Sequence, residues 1–342
     1  MMKWKLFLLL IPLCLSGLEQ KGSLQWKELN QRCKLVLKKR GSIIIIDSRN
    51  GYIKGIINES VAIKKSAAPG SVFKIVTGIA ALRKDKRNRF VKVYCDDRYY
   101  IIGKGIRNYR IHFNRLEAEV GQYYRCSKYG GHKRIGFLSA LKRSCNYYFF
   151  NLGDKIGYEA FYNQVLRLGF GQKVFSTLKE EIAGEIKKEK LRTRQLLSYI
   201  GDGYGIQTTP LQMAHLVYFL ANNGEKQIIT LKRNGKKHIS RRIVSESNYG
   251  PIIKIIKRGL IKKVSTSTDR IYQKQFISSF AGKTGTSGAM NSLKTSGWFI
   301  GYGPIENPKV AFVVFLSEGT GRKALALAEK IFMGKNISKT YK

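Results

Sequence analysis

Ala68-Pro69-Gly70-Ser71-Val72-Phe73-Lys74 runs directly into Ile75-Val76-Thr77-Gly78-Ile79-Ala80-Ala81-Leu82. Pro69-Gly70 is a turn signal, and the apolar periodicity from Ser71 to Leu82 predicts a helix entering the core. Ser71 then stands at a helix N-terminus, where unpaired N–H groups favour developing negative charge. Lys74, three residues on, shares its helix face. A serine hydroxyl needs a neighbouring base to act as a nucleophile. A lysine can be that base only if its pKa falls well below the usual ~10.4. Ser-x-x-Lys taken alone reads more simply as a capping serine with a solvent lysine one turn later. The remainder of the chain reverses that preference.

Ahead of this helix, Gly41-Ser42-Ile43-Ile44-Ile45-Ile46-Asp47 is a continuous β-branched run that predicts a buried strand. An Asn50-Gly51 turn returns the chain as a second strand from Tyr52 to Ile57. Beyond the helix, Lys84 to Lys133 is rich in Arg, Lys, Tyr and Gly and reads as an irregular insertion. Ile135 to Leu141 is helical in pattern, Ser144-Cys145-Asn146 interrupts it, and an apolar run continues from Tyr147 to Leu152. That Ser-x-Asn fits a capping site as well as it fits a hydroxyl and an amide facing a cleft. Tyr158 to Leu168 predicts an amphipathic helix. Thr209-Pro210 opens another, and a third runs from Ile252 to Ile261. The C-terminal third reads as strands around Phe276–Phe280, Gly282–Ser287, Gly297–Tyr302 and Val310–Leu316, closed by a helix from Ala324 to Phe332. Short connections between these strands predict antiparallel neighbours. The expected fold class is α+β: an antiparallel sheet built from both chain ends, flanked by helices, with a helical insert between them.

The chain has 342 residues, 43% of them hydrophobic, enough for a sizeable core. Its net charge is +41, from 63 Lys+Arg against 22 Asp+Glu. The basic residues are spread along the chain without a nucleic-acid-binding motif, so no nucleic-acid partner is expected. An anionic membrane or cell-wall polymer fits the charge equally well, and biased residue usage with no functional meaning fits it slightly better. Met1-Met2-Lys3-Trp4-Lys5 precedes an apolar run from Leu6 to Leu18, the pattern of an export signal. The run is shorter than the ~20 residues that span a bilayer. The five cysteines (Cys14, Cys33, Cys95, Cys126 and Cys145) and four histidines show no metal-ligand spacing. A metalloenzyme is therefore disfavoured, and no metal or cofactor is expected. Cys95 and Cys126 flank one polar segment, which leaves their pairing in an oxidising compartment open. The expected division is a signal or anchor over 1–20, a basic lead-in over 21–40, one domain over 41–335 and a tail over 336–342.

Ser71-x-x-Lys74, Ser144-x-Asn146 and Lys283-Thr284-Gly285 stand in the order of the three motifs of penicillin-binding proteins and class A β-lactamases. Each triplet is weak alone, whereas the ordered set is strong. Ala68–Lys74, Gly131–Phe149, Gly201–Ala214, Gly282–Thr286 and Ser296–Pro304 also resemble penicillin-binding transpeptidase domains. The likeness covers roughly 41–332 and is nearest to the transpeptidase-only class.

The resemblance implies a penicilloyl-serine transferase fold with a cleft between sheet and helical subdomain. It implies Ser71 as the acylated nucleophile, Lys74 as its proton acceptor and Ser144 as the relay to the leaving amine. Asn146 would hold the substrate's backbone amide. Lys283 would place positive charge near the substrate carboxylate and near Lys74, and Thr284 and Thr286 would bond that carboxylate beside Gly285. The N–H groups of Ser71 and Thr286 would form an oxyanion hole, worth ~3 kcal/mol per donor. The implied activity is D,D-transpeptidation of D-Ala-D-Ala stem peptides of peptidoglycan, outside the cytoplasm, with β-lactams as covalent inhibitors. Cell-wall synthesis proteins are the partners this would admit. The same residues serve a carboxypeptidase or a β-lactam sensor without turnover; a class D-like β-lactamase fits the stand-alone domain size but would carry a hydrophobic residue in place of Asn146. A class A enzyme is disfavoured, because no Glu-x-x-Leu-Asn element lies between Asn146 and Lys283. The family also offers a precedent for a disulfide between Cys95 and Cys126.

Overall fold

The computed structural model describes residues 22–37, 40–100, 123–126, 128–202, 205–244, 248–260, 279–287 and 295–333. Its centre is a five-stranded sheet. The strands are β1 (Gly41–Asp47), β2 (Ile53–Ile57), β3 (Ala281–Ser287), β4 (Ser296–Gly303) and β5 (Val310–Leu316), in the spatial order β3-β4-β5-β1-β2. Every neighbouring pair is antiparallel. The two chain ends thus meet where β1 pairs with β5, Gly41 opposite Leu316 and Asp47 opposite Val310.

β1 is buried along its whole length because both sheet faces are covered. Ile44 and Ile46 join Trp298, Ile300, Val313 and Phe315 in the core beneath the helical insert. Ile43 and Ile45 point the other way, into a second core with Phe299, Phe312 and Val314. The period-2 alternation of a strand therefore divides one isoleucine run between two cores. Each such burial stabilises the fold by about 1.5–3 kcal/mol at most.

The second core is closed by helices Gly22–Val36 and Gly321–Met333, which pack on one another. The segment read as a basic lead-in is therefore helical from Gly22. It buries Trp26 and Cys33, with Leu29 and Val36 packed beside them, while Leu35 faces solvent. On the other face of the sheet, helix Pro210–Ala221 is buried at every residue and lies against β1 and β5. The Thr209 hydroxyl accepts from the Gln212 N–H while the Gln212 side chain accepts from the Thr209 N–H, a reciprocal cap that fixes the helix start.

Within the stretch 84–133, the described residues include short strands that the composition does not suggest. Strands Lys92–Cys95 and Lys133–Gly136 pair, as do Arg98–Tyr100 and Tyr123–Arg125. Ile135 consequently sits in a ribbon opposite Val93, and the helix begins two residues later, at Phe137. The strand expected at Phe276–Phe280 lies mostly outside the described residues, and Phe280 itself precedes β3. The apolar run Leu6–Leu18 also lies outside them. Among the described residues no helix is long and apolar enough to cross a membrane.

Candidate active site

Pro69-Gly70 turns the chain into a short 3-10 segment, Gly70–Phe73, that leads straight into helix Lys74–Lys84. Ser71 thus lies in the tighter turn ahead of the α-helix, with Lys74 as the first α-helical residue. The turn is pinned from three sides. Gly70 N–H donates to the Gly201 carbonyl at 2.7 Å, and the Trp298 indole N–H donates to the Ala68 carbonyl at 2.8 Å. From the third side, β3 packs so closely that a Cβ on Gly285 would lie 2.4 Å from the Pro69 carbonyl oxygen. Glycine at 285 is what lets a sheet edge approach the nucleophile's backbone.

This packing gathers the three motifs. Lys74 Nζ lies 2.9 Å from Ser71 Oγ, 2.8 Å from the Ser144 carbonyl oxygen and 3.2 Å from Ser144 Oγ, and it also reaches Asn146 Oδ1. Lys283 Nζ, from β3, donates to Ser144 Oγ at 2.9 Å and to the Thr284 carbonyl at 3.2 Å. Ser144 is held in the left-handed region (φ 58°) at the end of helix Phe137–Arg143, and Asn146 opens helix Asn146–Ile156. The break in helical pattern was therefore a helix–helix corner, whose tip faces the lysine. Lys74 is fully buried and Lys283 nearly so, while Ser71, Ser144, Asn146 and Thr284 are half-buried and Thr286 is exposed. The hydroxyls line a cleft whose floor holds the two cations. Thr286 Oγ1 accepts the Gly321 N–H at 2.8 Å, which leaves its hydroxyl proton to donate outward.

Burial pushes Lys74 from 10.5 down to about 8, against the opposing pull of the Cys145 and Cys126 sulfurs and the Asp202 carboxylate. An ammonium has three protons to donate, and four oxygen acceptors surround this nitrogen. Once neutral, it offers a lone pair to which the Ser71 or Ser144 hydroxyl can donate. The arrangement is a serine, a lysine able to lose its proton, and a second serine bridging two lysines.

All eight residues singled out from the sequence belong to this cleft or to the strand that walls it. Asp202, which acts on Lys74, and Trp298, which ties the turn to the sheet, were missed. Asp202 had no signal beyond its place in a glycine-rich segment. Directly behind Ser144 and Asn146 lies a further feature the spacing did not reveal. Cys95, Cys126, His132 and Cys145 converge there, all buried. Cys95 and Cys126 are free thiols, so the disulfide left open by the sequence is not formed.

Residues 36–337 match the family model of the penicillin binding protein transpeptidase domain. The chain is 25% identical over 281 residues to stage V sporulation protein D of Bacillus subtilis, covering 78% of this chain and 40% of that protein. It is 26% identical over 239 residues to peptidoglycan D,D-transpeptidase MrdA of Acinetobacter baumannii, covering 61% of this chain and 36% of that protein. The chain thus spans about two-fifths of the length of these curated relatives. Its fold is similar to Pseudomonas aeruginosa PBP2 in complex with WCK 5153, with TM-score 0.69 and 19% identity over 91% of this chain and 77% of that one. It is likewise similar to Helicobacter pylori PBP2 in its complex with MreC, with TM-score 0.70 and 20% identity over 91% of this chain and 62% of that one.

Proposed function

The chain belongs to the penicillin-binding protein transpeptidase family, and from that premise we propose that it cross-links peptidoglycan as a serine D,D-transpeptidase. The observation that carries this reading is the buried Lys74 amine, 2.9 Å from Ser71 Oγ and in reach of Ser144, with burial lowering its pKa to about 8. Neutral Lys74 takes the Ser71 proton as Ser71 Oγ attacks the carbonyl between the two terminal D-alanines of a stem peptide. The Ser71 and Thr286 N–H groups stabilise the oxyanion. Ser144, bonded to both lysines, passes the proton to the amine of the departing D-alanine. Lys283, Thr284 and Thr286 hold the terminal carboxylate, and Asn146 holds the substrate amide. A second stem peptide's amine then attacks the Ser71 ester, which restores the serine and forms the cross-link.

Penicillin presents a strained amide and a carboxylate to the same groups, so it acylates Ser71 and the adduct persists. The reading places the domain outside the cytoplasm, supported by the basic start and the apolar run Leu6–Leu18. A protein of the cell-wall synthesis machinery is the natural partner there. Intact-mass analysis after penicillin treatment tests the nucleophile: the wild-type chain gains one penicilloyl group and Ser71→Ala gains none. Amine-dependent product from a D-Ala-D-Ala peptide supports transfer over hydrolysis. Rapid, repeated hydrolysis of penicillin would overturn the proposal.

A further inference from the structure

At the edge of the sheet away from the cleft, three lysines from two elements crowd one aromatic ring. Tyr52 stands immediately ahead of β2, and its ring centre lies 5.7 Å from Lys54 Nζ, 5.8 Å from Lys232 Nζ and 5.9 Å from Lys237 Nζ. Lys54 belongs to β2, while Lys232 and Lys237 belong to the hairpin formed by Thr230–Arg233 and Lys236–Ile239. A bridge between Tyr52 and Thr230 fixes that hairpin beside β2. Its register sets Lys237 directly opposite Lys232 and Lys236 opposite Arg233. Like charges placed directly opposite destabilise an antiparallel pair. Arg233 is compensated by Glu59 and Glu180. Among the described residues, no carboxylate is paired with Lys54, Lys232 or Lys237. Asp47, which acts on Lys54, is clasped through both oxygens by Arg49.

Lys54 on an edge strand also discourages strand addition, and cation–π attraction offsets part of the repulsion. Neither effect requires Lys232 to face Lys237, and Tyr52 has two faces for three ammoniums. An external anion satisfies all three. Two observations select a lipid surface as that anion. Ile239, opposite Thr230 on the same hairpin, is 52% exposed, so an apolar side chain stands beside the lysines. Lysine stems, an aromatic ring and an exposed aliphatic group together suit the boundary between headgroups and acyl chains. Lys54 Nζ also lies 5.8 Å from the ring centre of Trp26, on helix Gly22–Val36. The apolar run Leu6–Leu18 ends four residues before Gly22, a reach of at most about 14 Å. Trp26 is four residues into the helix, about 6 Å further. A bilayer that receives the run therefore lies within about 20 Å of this patch.

We infer that Lys54, Lys232 and Lys237, gathered around Tyr52, form a face on which the folded domain docks to anionic phospholipid headgroups, separately from any anchor in the N-terminal segment. The inference rests on the reading that the domain works outside the cytoplasm beside a membrane. It also gives the domain an orientation. The strand order β3-β4-β5-β1-β2 puts the strand of Lys283 four strand spacings from β2, or about 19 Å. A domain lying on the β2 edge therefore holds its catalytic edge away from the lipid, where stem peptides can enter the cleft.

The test is flotation of the full chain with vesicles of phosphatidylcholine alone or of equal parts phosphatidylcholine and phosphatidylglycerol. The N-terminal segment is the same in every variant, so differences between variants isolate the face. Lys54→Gln, Lys232→Gln and Lys237→Gln should each lower the preference for anionic vesicles about 5-fold, and together on the order of 100-fold. Raised salt should shrink the wild-type preference. Lys86→Gln, Lys92→Gln and Lys128→Gln together remove the same charge from exposed positions of the insert and should leave the preference close to wild type. A wild-type chain indifferent to phosphatidylglycerol, a patch variant with the wild-type preference, or a control variant that loses as much overturns the face. Tighter binding to soluble poly(glycerol phosphate) than to anionic vesicles at equal phosphate, lost in the patch variant, gives the face to a wall polymer and overturns the lipid assignment. The patch variant should still be acylated by penicillin at the wild-type rate, which shows its fold intact. Failure of the transpeptidase reading would appear in that acylation and not in the vesicle preference, so the two failures are distinguishable.

Discussion

Lys74→Arg separates a base from a fixed charge. Wild-type Lys74 has its pKa lowered by burial to about 8. One pH unit below that value about a tenth of the molecules hold the neutral amine, and one unit above about nine-tenths do. A lysine left at 10.5 would be neutral in roughly 0.03% of molecules one unit below pH 8, so burial enlarges the reactive population about 300-fold. The second-order constant for acylation by penicillin reports ionisations of the free enzyme. It should therefore rise about tenfold across those two units and level off above them. Arginine keeps a positive charge in the same place but cannot give up its proton at working pH. The variant should lose about 10^2–10^4-fold in acylation, the usual worth of a general base, and what activity remains should not follow that ionisation. Stopped-flow acylation with a chromogenic penicillin across the pH range measures both. A wild-type profile that is flat across the window, or an arginine variant acylating at the wild-type rate, refutes the base role.

Gly285→Ala places a methyl group 2.4 Å from the Pro69 carbonyl oxygen, with Val72 also in contact. Both neighbours belong to the turn bearing Ser71, so a loss of about 1–3 kcal/mol in thermal unfolding should accompany slowed acylation; an unperturbed variant would show that β3 can move away from the turn at no cost. Trp298→Phe leaves the Ala68 carbonyl without its indole donor and should cost about 1–3 kcal/mol in denaturant melts. Burial holds His215 down from 6.5 to about 4, while its Nε2 bonds the Gln227 carbonyl. The unfolded chain therefore takes up a proton between those two pH values that the folded chain does not, and stability should fall as pH drops through this window, by about 3 kcal/mol at most. His215→Gln keeps a donor for Gln227 and should flatten that slope, and an unchanged slope places the acid sensitivity elsewhere.

What the sequence revealed was whatever depends on local pattern. β1 was legible because four consecutive isoleucines have few alternatives to a strand covered on both faces. Helix Pro210–Ala221 was legible from Thr209-Pro210 at its start. The nucleophile, the base, the Ser-x-Asn corner and the Lys-Thr-Gly strand were legible because chemistry demands those residue types in that order. The ribbons between 92 and 136 were not, because three- and four-residue pairings are stabilised by partners tens of residues away and leave no periodicity. Helix Gly22–Val36 was hidden by a mostly polar composition, in which Trp26, Leu29, Cys33 and Val36 make a short inner face and Leu35 breaks the pattern. The convergence of Cys95, Cys126, His132 and Cys145 escaped for the same reason as the ribbons. Cys126 and His132 stand six residues apart, but Cys95 and Cys145 come from separate segments, and only the folded ribbon brings the four together.

The site also explains where the fold accepts a cost. Between about pH 8 and 10.5 the unfolded chain holds a proton on Lys74 that the folded chain has released, so the folded state gains stability as pH rises through that window. Below it the protonated amine is buried at a net cost of about 3 kcal/mol relative to solvent. Placing the lysine in solvent would remove that cost and with it the neutral base. The turn bearing Ser71 is pressed between β3, Gly201 and Trp298, contacts that need glycine at 70, 201 and 285. The three motifs are therefore one physical device: the third brings a bare backbone against the turn of the first, and the second supplies oxygens around its base.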